Sequence, residues 1–295
     1  INYYYGINLD TTFTGEDNLH VAIETGNSSG LANAATIMDF GSANGDTLKL
    51  VDINYTRSFG DKLTAVVGDS LDLSALWTGA CTYSGFTDHL SDCGTGFSAG
   101  AGGDVSISTS YDIGSGFTFG AGLSALEAAS TDGMFTKEGV DVYGMQLAYT
   151  ADSYGVALSY GDVDMKDSND SGLYGGLTKD HTFWGINGYY TLGSAIDSIS
   201  VGYEFADPET GKDKTNYFVG LTTQPVGPGT FNFGLGTSAL ITDGDEETMA
   251  YEASYGWDIN DGMSAKVGAF LQERDTPATE GDELIGVALQ TSFAF

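Results

Sequence analysis

The last twelve residues, 284–295, alternate apolar and small-or-polar side chains with a period of two and finish on an aromatic ring. Counting back from Phe295, one parity holds Phe293, Thr291, Leu289, Val287 and Ile285; the other holds Ala294, Ser292, Gln290, Ala288 and Gly286. Successive side chains of a strand point to opposite faces, so this segment has one greasy face and one small, polar face. A soluble sandwich can use such a strand. A strand that crosses a bilayer must, because it has lipid on one side and water on the other.

The same alternation runs through the chain, punctuated by Gly, Asp, Asn and Ser. It predicts strands at 3–14, 19–27, 48–58, 62–70, 103–112, 117–126, 139–150, 154–163, 180–192, 198–206, 214–223, 229–239, 248–258, 263–273 and 284–295. Most are about ten residues, the length a tilted strand needs to span a membrane. Outward-facing sets include Tyr3, Tyr5, Ile7 and Leu9, then Val156, Leu158 and Tyr160, then Phe231, Phe233 and Leu235.

Connection lengths alternate too. Short ones are 14–18, 59–61, 113–116, 151–153 and 260–262; long ones are 28–47, 71–102, 127–138, 164–179 and 274–283. Membrane barrels have short turns at one rim and long loops at the other, whereas a sandwich has no reason to alternate. The expected fold is therefore all-β, a transmembrane antiparallel up-and-down β-barrel occupying 1–295. If the last strand ends at the periplasm, counting backward makes 3–14 descend from outside, which needs a strand before it. Bacterial single-chain barrels have an even count. Sixteen strands are expected, fifteen here and one upstream of Ile1, with Ile1 and Phe295 on opposite membrane faces. The alternative is an unrecognised short strand at Ala34–Phe40.

Charge narrows the function. Ten basic against 41 acidic residues give a formal charge of −31, which excludes nucleic acid as a partner and opposes adsorption to anionic lipid. No stretch approaches 18 apolar residues, so a spanning helix is excluded. A mean hydropathy of −0.09 fits a barrel whose strands are half wet. Cys81 and Cys93, with no His/Cys cluster nearby, read as a loop disulfide from an oxidising compartment. The three histidines, His20, His89 and His181, are far apart with no metal-ligand spacing. No segment advertises a Ser/His/Asp constellation, so neither an enzyme nor a cofactor is expected. Gly102-Gly103-Asp104 resembles a fragment of a calcium repeat but lacks the period. Asp243–Glu247 reads as a solvated loop, with weak Ca²⁺ binding the alternative.

Strand parity turns Asp10, His20, Glu24, Asp52, Asp104, Glu204, Glu252 and Lys266 toward the lumen. Carboxylates lining a pore favour cations; the plainer reading is that they hydrate the wall.

Two stretches point to a family. Leu9–Asp17 followed by Glu24-Thr25-Gly26-Asn27 resembles a turn of cyanobacterial porins of the carbohydrate-selective OprB type, and Asp52–Lys62 is similar to their next turn. A terminal aromatic is likewise similar to the assembly signal of outer-membrane proteins. The resemblance implies a multi-pass barrel of the bacterial cell outer membrane, sixteen strands, a homotrimer, and an N-terminal domain with a coiled coil that binds peptidoglycan or another wall polymer. It implies carbohydrate transport by its label, but inorganic ions for cyanobacterial members. With a strand before Ile1, loop 71–102 becomes the third outer loop, which in general porins folds inward and narrows the barrel. This one carries Asp69, Asp72, Trp77, Asp88, His89, Asp92 and the Cys81/Cys93 pair. The disulfide would limit the freedom of an obstruction, or merely shield the loop from proteolysis. The function expected is a passive, cation-favouring, water-filled channel for small hydrophilic solutes and inorganic ions. The alternative is a structural protein that anchors the outer membrane through an occluded barrel.

Overall fold

The computed structural model describes residues 3–27, 38, 44–99, 102–125, 136, 139–164, 180–273 and 283–294. Wherever the period-two alternation runs, a strand forms. The strands are β1 Tyr4–Thr11, β2 Asp17–Gly26, β3 Lys49–Phe59, β4 Leu63–Asp72, β5 Gly102–Gly114, β6 Phe117–Ala125, β7 Asp141–Thr150 and β8 Tyr154–Asp164. They continue with β9 His181–Thr191, β10 Ile196–Pro208, β11 Lys214–Thr223, β12 Gly229–Thr237, β13 Ile241–Thr242, β14 Met249–Asn260, β15 Met263–Glu273 and β16 Glu283–Phe293.

They build one 16-stranded sheet in chain order, except that the two-residue β13 pairs with β11 beside the path. Neighbours are antiparallel throughout, which is the up-and-down architecture the alternation predicts. Fifteen long strands leave β1 and β16 running the same way. Among the described residues no ladder joins them. Ile1 and Phe295, and all of 34–40 except Met38, lie outside the described residues. Met38 makes an isolated antiparallel bridge to Thr87.

The register fixes two faces. Outward lie Tyr5, Ile7, Leu9, Ile107, Leu147, Leu158, Leu235 and Val287, all exposed. Stranded in water this band would cost about 25 cal/mol for every Å²; against hydrocarbon it costs nothing. Among the described residues no helix is long and apolar enough to cross a membrane. Rings collect near the short turns: Phe117 and Tyr149 with centroids 4.7 Å apart, Tyr149 and Tyr154 5.8 Å, Phe231 and Tyr255 4.7 Å, and Tyr255 and Trp257 5.5 Å. An aromatic girdle of this kind suits a bilayer interface, where a ring has one apolar and one wet side.

The first turn shows why its residues are polar. The Asp17 carboxylate accepts from Thr12 Oγ1 at 2.6 Å, from the Phe13 and Thr14 amides at 2.9 Å each, and from Tyr55 Oη at 2.7 Å. Gly15 takes φ 84° there, a value that glycine reaches without a Cβ clash. One side chain thus closes the β1–β2 hairpin and ties it to β3.

Candidate functional site: the inner loop and its wall

Between β4 and β5 the chain folds inward and lies against the inner face of the sheet. Two four-residue helices, α1 Asp88–Ser91 and α2 Gly96–Ala99, interrupt this loop. Cys93 (φ 52°) and Gly94 (φ 73°) turn the chain between them. Cys81 and Cys93 are disulfide-bonded, with Cα atoms 6.4 Å apart, so the ring expected from their spacing is present.

The loop rests on backbone. A Cβ at Gly144 would stand 2.7 Å from both Leu73 Cδ1 and Trp77. At Gly220 it would stand 2.9 Å from Tyr83, and at Gly268 2.7 Å from Phe86. At Gly122 and Gly202 it would run into the carbonyl oxygens of Leu73 and Cys93. Glycines facing inward on β6 to β15 therefore form a floor without side chains, and Leu73, Trp77 and Phe97 pack from it onto Val142, Val163, Phe183 and Ala206.

Polar contacts fix the loop's height. Thr78 meets Thr118 (2.6 Å), Thr82 meets Ser198 and Ser200 (2.8 and 3.0 Å), and Asn187 donates to Thr95 Oγ1 (3.1 Å). Three charged wall residues do more. Glu252 accepts from the Phe86 amide (2.7 Å), the Thr87 amide (2.8 Å) and Thr87 Oγ1 (2.9 Å). Glu204 accepts from the amides of Phe97 (3.3 Å) and Ser98. Lys266 Nζ donates to Ser84 Oγ (2.9 Å) and to the Gly85 carbonyl (2.8 Å), and lies 4.9 Å from the Phe86 ring centroid. A buried carboxylate is tolerable only when such donors replace its water.

These contacts revise the sequence-based site. The register does turn Asp10, His20, Glu24, Asp52, Glu204, Glu252 and Lys266 inward. Glu204 and Glu252, however, are 0% and 4% exposed beneath the loop, so they hold the obstruction instead of lining a passage. Strand parity gives a face and says nothing about what covers it. Asp69 and Asp72 belong to β4, not to the loop: Asp69 falls inside the strand that the alternation already predicts, and that strand runs two residues further, to Asp72. Asp69 pairs with Ile53 and Val105 on the outward side. Trp77 is packed on the floor, while Asp88 and Asp92 are exposed on the loop. The side chains of Asp104 and His89 lie outside the described residues. Among the described residues no cluster of His, Cys, Asp or Glu could hold a metal ion.

On the remaining wall, His20 Nδ1 lies 2.9 Å from Asp10 Oδ1 and its Nε2 lies 3.9 Å from Asp52 Oδ2. Asn18 and Asn54 donate to Asp10 and Asp52 respectively. Beneath the loop tip, a cavity of 620 Å³ is lined by Ser84, Asp258, Lys266, Gln290 and Ser292 among others.

The ring predicts its own test. Converting both cysteines to serine is expected to return freedom worth about 3 kcal/mol in the chain-entropy account, so a broad-specificity protease should nick 73–99 while the barrel stays intact. Equal resistance of the oxidised and cysteine-free proteins would contradict that role.

No family model matches this chain, and neither does any curated protein. Solved structures do. OmpT, an outer membrane protein of Vibrio cholerae in a form lacking loop L8, superposes with a TM-score of 0.64 at 14% identity, covering 99% of this chain and 90% of that one. Mutant forms of the Rh. blastica porin give TM-scores of 0.59 and 0.56 at 14% and 16% identity, covering all of this chain and 90% of theirs. At such identities the likeness is one of fold: this chain is built like the barrel of bacterial outer-membrane porins.

Proposed function

We propose that the protein is an outer-membrane channel through which inorganic ions and small hydrophilic solutes diffuse, with cations favoured. The observation that carries this reading is the inner loop, which is clamped to one part of the wall and leaves another part wet. The outward apolar band and its aromatic girdle support the membrane location, and the porin-like fold supports the channel. A sixteenth strand from upstream of Ile1 belongs to the proposal: β1 and β16 run the same way, so only an odd number of added strands closes the wall antiparallel. The trimer and the wall-polymer attachment implied by the resemblance go with it, as does the OprB-type assignment.

Cation preference rests on charge. The chain carries 41 acids against ten bases, and of the inward-facing cations Lys266 is engaged by the loop. Fixed carboxylates repel anions over roughly a Debye length, about 8–10 Å near physiological salt. In planar bilayers under a KCl gradient, the reversal potential is expected on the K⁺ side, with the bias fading as salt rises. An anion-side value would overturn the preference. Absence of current from a correctly folded barrel would overturn the channel and favour an occluded, anchoring barrel.

A further inference from the structure

We infer that the recess beneath the loop tip is a binding site for a small zwitterion of the α-amino acid kind, whose carboxylate meets Lys266 and whose ammonium meets Asp258. The inference deepens the channel reading and rests on it.

The geometry of the recess carries the argument. It is the 620 Å³ cavity bounded by Ser84 of the loop and by residues of β12, β14, β15 and β16, within the range of small-molecule sites, about 300–1,000 Å³. Lys266 reaches its roof, where bonds to Ser84 Oγ (2.9 Å) and the Gly85 carbonyl (2.8 Å) fix the ammonium. Both acceptors are neutral, so they leave its charge in place. Asp258 lies closer to the short-turn rim. It pairs across the ladder with Ser264, which sets it diagonal to Lys266 on the same face, about 7–8 Å away at the Cα atoms. The register slips just beyond it, before Asn260, and bulges of that kind re-aim side chains.

The polar groups here are left over by the fold. Elsewhere under the loop Thr118, Ser198 and Asn187 are taken up by loop residues. In the recess, among the described residues, the Asp258 carboxylate has neither a hydrogen-bond donor nor an ion pair, and the side chains of Thr230, Ser264 and Gln290 have no hydrogen-bond partner.

The paired charges select the solute. An α-amino acid carries its ammonium and carboxylate on adjacent atoms, so it can lie between Lys266 and Asp258 and make a charge-assisted bond to each. A simple anion would meet Lys266 with Asp258 opposing it, and a simple cation the reverse. Having no net charge, the zwitterion also escapes the repulsion that a chain of formal charge −31 exerts on anions. Asp258 is exposed, so binding stays weak enough for release, as conduction requires.

The test is block of single-channel current in planar bilayers by L-alanine. Glycerol, acetate and methylammonium serve as neutral, anionic and cationic probes, each read against the same channel's own open current. On the parent, L-alanine is expected to act at about tenfold lower concentration than any of the three, the worth of one added bond between charged groups. In D258N the advantage over acetate should vanish; in D258E it should persist. Equal potency of L-alanine and glycerol on the parent, no block of a conducting channel, or a D258N channel with the parent's preference overturns the inference. A folded protein that passes no current overturns the channel reading and this inference with it. A second measurement covers a D258N chain that fails to fold. In otherwise unchanged protein, L-alanine should slow the reaction of S264C with a charged thiol reagent while glycerol does not, and equal rates overturn the site.

Discussion

Glu252→Ala is expected to free the tip of the inner loop and raise single-channel conductance severalfold. Three donors converge on this carboxylate, two of them main-chain amides that no other described acceptor reaches. A hydrogen bond to a charged group contributes about 1.5–3 kcal/mol, and each amide left buried without a partner costs about 1–3 kcal/mol. Removing the acceptor should therefore weaken docking by about 3–5 kcal/mol, in line with breaking a buried charge from its partners. Lys266 would remain, holding Ser84 and Gly85 against the wall, so a combined E252A/K266A variant should open the channel further. Glu252→Gln is no rescue, because its amide nitrogen would face a donor. Bilayer recordings of folded barrels provide the check: conductance and current noise equal to those of the parent would sink the clamp.

The second large effect is expected from adding a side chain to the floor. A Cβ at Gly202 would strike the carbonyl of Cys93, which the disulfide to Cys81 holds in place. Gly202→Val should push the loop off the wall and into the open side, so conductance falls where E252A raises it. Overpacking of this kind costs about 1–3 kcal/mol, little enough for the barrel to survive. At Gly256 the new atom would find its nearest neighbour 3.8 Å away on Lys266, and G256A should conduct as the parent does. A G202V channel of unchanged conductance, folded by its resistance to heat in detergent, would disprove the glycine seat.

The strands were legible because lipid on one side and water on the other impose a strict period of two, and no other fold demands it so often. Their inward and outward faces were legible for the same reason, His20 and Asp52 included. Parity could not tell that Glu204 and Glu252 face a loop and not water, since covered and open inner faces are equally polar. A signal was nevertheless present. Inward positions on β6 to β15 repeat glycine, as at Gly120 and Gly122 or Gly234 and Gly236, where a water-lined wall has no need of it. The helices α1 and α2 are too short to show a 3.6-residue period, and β13 spans only two residues, so neither leaves a readable pattern. Asp72 escapes the pattern because β4 loses its alternation near residue 70 while its ladder to β5 runs on to Asp72; Asp69 lies within the readable strand.

The disulfide also bears on the order of assembly. Cys81 and Cys93 are 12 residues apart, so the ring can close while the chain is otherwise unfolded, whereas the bonds from Phe86 and Thr87 to Glu252 span 166 and 165 residues. Closing so wide a gap must wait for strands synthesised much later. A chain oxidised in the periplasm would bring the loop to the forming barrel already knotted into a small unit. The last strands would then close around an insert whose freedom the ring has already reduced, by about 3 kcal/mol in the chain-entropy account, so oxidation of the loop would precede the docking that narrows the barrel.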